Sequence, residues 1–135
     1  MTSSKPKIFI VDDNETFRKV MSDFLNNCGE FEIMGEAADG FECIERINNK
    51  HVDIILMDIN MPKLNGIKAT KIINQKYANN IKVIALTQHD EFEYIKNMIE
   101  SGAKSYVIKT EVGKQLITAI KTVMKGEMYF PDLAK

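Results

Sequence analysis

Three aspartates, a threonine and a lysine in this 135-residue chain stand at or just after the end of short apolar runs. Asp12 and Asp13 close KIFIVDD, Asp58 closes VDIILMD, Thr87 follows IKVIAL, and Lys109 follows KSYVI. Three carboxylates drawn into one crevice repel. At ~4 Å and an effective dielectric of ~20, each like pair costs roughly 4 kcal/mol. Two remedies exist, a raised carboxyl pKa or a bound cation. Oxygen ligands suit a hard divalent ion, and magnesium fits because it keeps waters and accepts phosphate oxygens. Such an ion and an ammonium beside a free carboxylate are arranged for phosphoryl transfer. Asp58 would attack, the metal and Lys109 would stabilise charge on the transferring oxygens, and Thr87 would donate a hydrogen bond to the product.

Elements must bring these residues together. Lys7–Asp12, Phe31–Ala37, Val52–Met57, Ile81–Leu86 and Lys104–Ile108 are predicted strands. Between them run helical spacings. Phe17, Val20, Met21, Phe24 and Leu25 follow an N-cap at Asn14. Phe41, Ile44 and Ile47 fall within a helix over Asp39–Asn48, and Ile72 and Ile73 point inward from one over Gly66–Tyr77. Phe92, Ile95, Met98 and Ile99 share a face of Glu91–Glu100, which Gly102 stops. Leu116, Ile120, Val123 and Met124 mark a last helix over Val112–Lys125, closed by Gly126. Strict alternation predicts an α/β fold, a five-stranded parallel sheet with helices on both faces. In such sheets function sits beyond the carboxyl ends of the strands, where these five residues fall. The second strand ends on Ala37 and Ala38, which offer no chemistry.

Bulk properties narrow the function. The chain has the length of one domain and is 44% hydrophobic, enough for a core. Eighteen basic and 19 acidic residues nearly cancel. That balance argues against binding nucleic acid by bulk charge. No apolar run is long enough for a membrane span, and MTSSKPK is not a signal-peptide pattern. Cys28 and Cys43 fit no metal spacing, and reduced thiols in a cytoplasmic protein are expected.

The stretches IFIVDDN, IILMDINMPKLNG, VIALT and GAKSYVIK together resemble the receiver domain of two-component response regulators, in order and spacing, over nearly the whole chain. The resemblance implies a flavodoxin-like (βα)5 fold over residues 6–126. Residues 1–5 would be a tail and 127–135 an exit segment or linker. It implies that Asp12, Asp13 and Asp58 bind Mg2+, with Asn60 adding its backbone carbonyl. It makes Asp58 the phosphoacceptor for a sensor histidine kinase, and Thr87, Tyr106 and Lys109 the switch hydroxyl, switch aromatic and phosphoryl-contacting lysine. His89 would tune hydrolysis, Pro62 would shape the turn after Asp58, and Gly66 would give backbone freedom there. Phosphorylation would draw Thr87 and Tyr106 inward and change the face built from the fourth helix, fifth strand and fifth helix, altering dimerisation or an attached domain.

The segment from His89 through KGEMYFP is similar to receivers of the NarL/FixJ/LuxR subfamily, in which a helix-turn-helix DNA-binding domain follows. The chain to Lys135 has no room for one, so an excised receiver is expected, with a stand-alone receiver as the alternative. DNA contact would come only through that absent domain. Plainer roles exist for each residue: helix caps for Asp12, Asp13, Asp58 and Thr87, a solvated Lys109, a half-buried Tyr106, and an exposed loop position for His89. A phosphatase of the haloacid-dehalogenase type also uses a strand-end aspartate with magnesium, but its second acid would stand where this chain has Asn60. A degenerate receiver acting without phosphate would lack an acid or the lysine, and this chain keeps them.

Overall fold

A computed structural model describes residues 5–59, 61, 65–88 and 92–130. The roles expected of Asn60, Pro62 and His89, and the helix start at Glu91, fall outside those residues.

Five strands form one sheet: β1 Lys7–Val11, β2 Glu32–Ala37, β3 Ile54–Asp58, β4 Lys82–Thr87 and β5 Ser105–Ile108. All neighbours pair in parallel, in the order β2-β1-β3-β4-β5. The chain steps outward from β1 to β2 and then returns past β1 to β3. That reversal opens a crevice between the carboxyl ends of β1 and β3. Every residue of β3 is buried, as its unbroken apolar run requires of a strand covered on both faces.

Helices α1 Glu15–Cys28, α2 Gly40–Ile47, α3 Gly66–Tyr77, α4 Phe92–Glu100 and α5 Val112–Met124 follow the strands. Alternate strand residues divide the core. Phe9, Ile55, Met57, Val83 and Tyr106 pack with Cys43, Ile73, Ile95 and Met98 from α2, α3 and α4. Ile8, Ile10, Leu56, Ile84 and Val107 pack on the other face with Leu25, Leu116 and Ile120 from α1 and α5. Among the described residues, three helices open on a side-chain cap: Asn14 Oδ1 accepts from Phe17 N–H at 3.0 Å, Asp39 Oδ1 from Glu42 N–H at 2.9 Å, and Asn65 Oδ1 from Lys68 N–H at 3.0 Å.

The helical faces are narrower than the apolar spacing implies. Ile73 is buried, but Ile72 is 38% exposed, and Val20, Phe41 and Phe92 lie mostly in solvent. Adjacent helical residues point about 100° apart, so where two consecutive side chains are both large, a helix lying on a sheet buries one more fully than the other. Tyr106 is fully buried rather than half-buried. Gly102 ends α4 in a left-handed conformation, φ +117°, as expected of a stop. Cys28 and Cys43 are both free thiols, and burial pushes Cys43 up to about 12. No helix among the described residues is long and apolar enough to cross a membrane.

Beyond α5 the chain turns back onto the sheet. Tyr129 N–H donates to Lys104 O at 3.0 Å, and Ser105 Oγ donates to Tyr129 O at 2.6 Å. Tyr129 thereby forms a parallel bridge to Ser105 at the β5 edge. The Phe130 ring stacks on Tyr106, centroids 6.2 Å apart.

Candidate functional site

Register places the acids. Val11 pairs with Met57, so the next residues, Asp12 and Asp58, leave adjacent strands side by side. Asp58 pairs with Leu86, just before Thr87, and Thr87 pairs with Ile108, just before Lys109. The four strand ends therefore deliver their polar residues to one rim. They line a pocket of about 280 Å³ with Asp12, Asp13, Asp58, Thr87 and Lys109 on its walls. Asp12 is fully buried, Asp58 is 5% exposed and Thr87 2% exposed, while Asp13 faces solvent.

One carboxylate oxygen from each of Asp12, Asp13 and Asp58 lies within 4.8 Å of the others. Lys109 Nζ donates to Asp12 Oδ2 at 2.6 Å and lies 3.5 Å from Asp58 Oδ1. The lysine does not offset the acids fully. Burial first, and then Asp12 and Asp13, push the Asp58 carboxyl up to about 7 against the pull of Lys109. A donor set of three converging carboxylates, one with its carboxyl raised to about 7 by burial and by its acidic neighbours, fits a hard divalent cation with oxygen ligands.

The backbone around Asp58 is held closely. Gly66 N–H donates to Ile59 O at 3.1 Å, which brings the start of α3 against the end of β3. A Cβ at Gly66 would run into the Asp58 carbonyl oxygen. Gly66 is thus required by close approach and not, as the sequence suggested, by backbone freedom, since its φ is not left-handed.

Residues 8–121 match the family described as the response regulator receiver domain. The chain belongs to that family.

As a receiver it is 36% identical over 129 residues to the transcriptional regulatory protein DegU of Brevibacillus brevis, covering 96% of this chain and 54% of the relative. It is 37% identical over 124 residues to the oxygen regulatory protein NreC of Staphylococcus aureus, covering 91% of this chain and 57% of the relative. The receiver thus spans little more than half the length of these curated relatives. Among solved structures it superposes on a LuxR-family two-component response regulator from Aurantimonas with a TM-score of 0.88, 28% identity and coverage of 97% of this chain and 94% of that one. The receiver domain of a NarL-type regulator from Mycobacterium tuberculosis gives a TM-score of 0.84 at 25% identity, covering 93% of this chain and all of that one. These relatives place the chain among NarL- and LuxR-like receivers of two-component systems.

Two residues of α1 bear on the site beyond those expected: Phe17, which the apolar spacing counted only as a helix position, and Arg18, which the sequence reading did not single out. Phe17 lines the pocket, its ring centroid 4.4 Å from Lys109 Nζ. Arg18 donates through Nη1 to Asp12 O at 2.6 Å and through Nε to Glu36 Oε1 at 2.5 Å, tying the β1 end to β2. The available signal was position: α1 opens at the carboxyl rim, so its first turn must border the site.

Proposed function

We propose that this receiver accepts a phosphoryl group on Asp58 from a phosphohistidine of a sensor kinase. The observation that carries the proposal is Asp58 itself: a carboxyl buried at the β3 end, beside two acids and 3.5 Å from Lys109, in a pocket open to solvent. An Asp58 carboxylate oxygen attacks phosphorus, the P–N bond breaks, and its electron pair leaves on the imidazole, which takes up a proton. The product is an acyl phosphate. Asp12, Asp13 and Asp58 would hold Mg2+, with the backbone carbonyl of Asn60 as a further ligand. Bound there, the ion supplies positive charge to the carboxylates and the phosphoryl oxygens.

Lys109 supplies the chain's own positive charge to the transferring oxygens, a role its distances to Asp12 and Asp58 support. Thr87 lines the same pocket and donates its hydroxyl to the phosphoryl group. The added charge of about −1.5 to −2 biases an equilibrium between two arrangements of Thr87 and Tyr106. Tyr106 carries that change outward through Phe130, stacked on it in the segment that leaves α5. His89 tunes the lifetime of the acyl phosphate.

The output is transcriptional, through a helix-turn-helix domain outside residues 1–135, with dimerisation through the α4-β5-α5 face as the intermediate step. The likeness to a transcriptional regulatory protein of about twice the length supports this. The setting is the cytoplasm. Incubation with acetyl phosphate and magnesium, read by intact mass, tests the acceptor. One phosphoryl mass is gained by the parent chain and none by Asp58→Asn; equal gain by both contradicts the proposal.

A further inference from the structure

The Lys109 ammonium makes a contact that phosphoryl chemistry does not require. It lies 4.4 Å from the centroid of the Phe17 ring, within the range of a cation–π attraction. That contact closes a circuit. Asn14 N–H donates to Asp12 Oδ1 at 2.8 Å, and Asn14 Oδ1 accepts from Phe17 N–H at 3.0 Å. The Phe17 ring meets Lys109, and Lys109 donates to Asp12 Oδ2 at 2.6 Å. The cap that starts α1 therefore sets the ring in place over a lysine 97 positions away from Asp12.

We infer that Phe17 is a positioning residue for Lys109, holding its ammonium at the pocket rim between Asp12 and Asp58. A lysine side chain carries about 2 kcal/mol of rotamer entropy and three freely turning donors, so carboxylates alone leave its orientation loose. A ring face adds attraction in one direction only, and it is stronger where water is partly excluded. The Lys109 side chain is 13% exposed, which meets that condition. Phe17 also packs against the core on the α1 and α5 side, a role any apolar side chain of similar size fills. Leucine therefore removes the ring and keeps the packing, while tyrosine keeps both. The inference rests on the phosphoryl-acceptor proposal for its consequence, but not for the contact.

The test uses this chain with Phe17→Leu and Phe17→Tyr. The first readout is the Lys109 Cε proton shift in the metal-free protein. The ring current moves it upfield in the parent and in Phe17→Tyr, and the displacement is lost in Phe17→Leu. The second is the rate of phosphoryl gain from acetyl phosphate at saturating magnesium. It falls about two- to fivefold in Phe17→Leu, as ~0.5–1 kcal/mol of cation–π attraction implies at 1.4 kcal/mol per tenfold, and recovers in Phe17→Tyr. The third is magnesium affinity by calorimetry, the same in all three. An unchanged Cε shift in Phe17→Leu overturns the inference. So does an unchanged rate, or a magnesium affinity that falls by the same factor as the rate, which would place the effect on the acids. Absence of phosphoryl gain in every variant, with the Cε shift behaving as described, overturns the acceptor proposal and leaves the Phe17–Lys109 contact standing.

Discussion

Lys109 and Asp12, at opposite ends of the sequence, meet at 2.6 Å across the carboxyl rim of the sheet. The lysine leans toward Asp12 and stays 3.5 Å from Asp58. Its shorter contact goes to Asp12, which suits the proposed reaction at an Asp58 oxygen.

Replacing that lysine removes the one cation close to both buried acids among the described residues. Lys109→Met is expected to slow phosphoryl gain from acetyl phosphate about 10²-fold, in line with loss of one preorganised donor to a developing charge. Stopped reactions read by intact mass check this. A rate within threefold of the parent contradicts the role given to Lys109.

Asp58 also shapes stability through pH. Its folded value of about 7 lies well above the ordinary carboxylate value. The folded chain therefore keeps a proton that the unfolded chain has released, and stability falls as pH rises from about 4 through 7. Asp58→Asn lacks this loss. Urea unfolding in the presence of a chelator is expected to show the variant more stable by about 1–4 kcal/mol at pH 8, with the gap closing toward pH 4. Parallel pH profiles for the two proteins contradict the assigned shift.

Bound magnesium would offset the same repulsion. Millimolar magnesium is expected to raise the melting temperature of the parent chain, by the amount that binding linkage gives, and to leave Asp13→Ala nearly unchanged. Asp13 is the exposed member of the cluster, so its removal disturbs no buried packing. An equal rise in both proteins removes Asp13 from the metal site.

Gly66→Ala puts a methyl group against the Asp58 carbonyl. The neighbour is backbone and cannot turn aside, so a loss of about 1–3 kcal/mol is expected, together with slower phosphoryl gain. Chemical denaturation and the acetyl phosphate assay measure the two effects. Unchanged stability would show that the start of α3 is free to shift.

The exit segment gives a further check. Phe130→Ala removes a stacked ring worth about 0.5–1.5 kcal/mol beyond its buried area. The Tyr129 amide, which donates to Lys104 O, is then expected to exchange with solvent faster. Unaltered exchange at Tyr129 would show that the edge hydrogen bonds hold the segment without Phe130.

Much of this was legible in the sequence because a parallel sheet writes its strands as unbroken apolar runs. VDIILMD marks β3 within two residues, and Gly66–Tyr77 matches α3 at both ends. The site was legible for the same reason: polar residues that end such runs all reach one rim. What spacing did not reveal depends on direction around a helix. Val20 and Met21 are both apolar neighbours, yet one is mostly exposed and the other buried. Phe17 carries the same apolar spacing as core residues, and only the opening of α1 at the carboxyl rim turns its ring toward Lys109. Gly66 gave no sign of its reason, because close approach to Asp58 arises from the packing of α3 on β3.

Trapping the acyl phosphate with borohydride distinguishes Asp58 from its acidic neighbours as the residue that takes the phosphoryl group. Reduction converts a phosphorylated aspartate to homoserine, which peptide mass spectrometry locates. After treatment with acetyl phosphate and magnesium, homoserine is predicted at position 58 alone. Homoserine at Asp12 or Asp13, or an unmodified Asp58 in a chain that has gained a phosphoryl mass, would contradict the account.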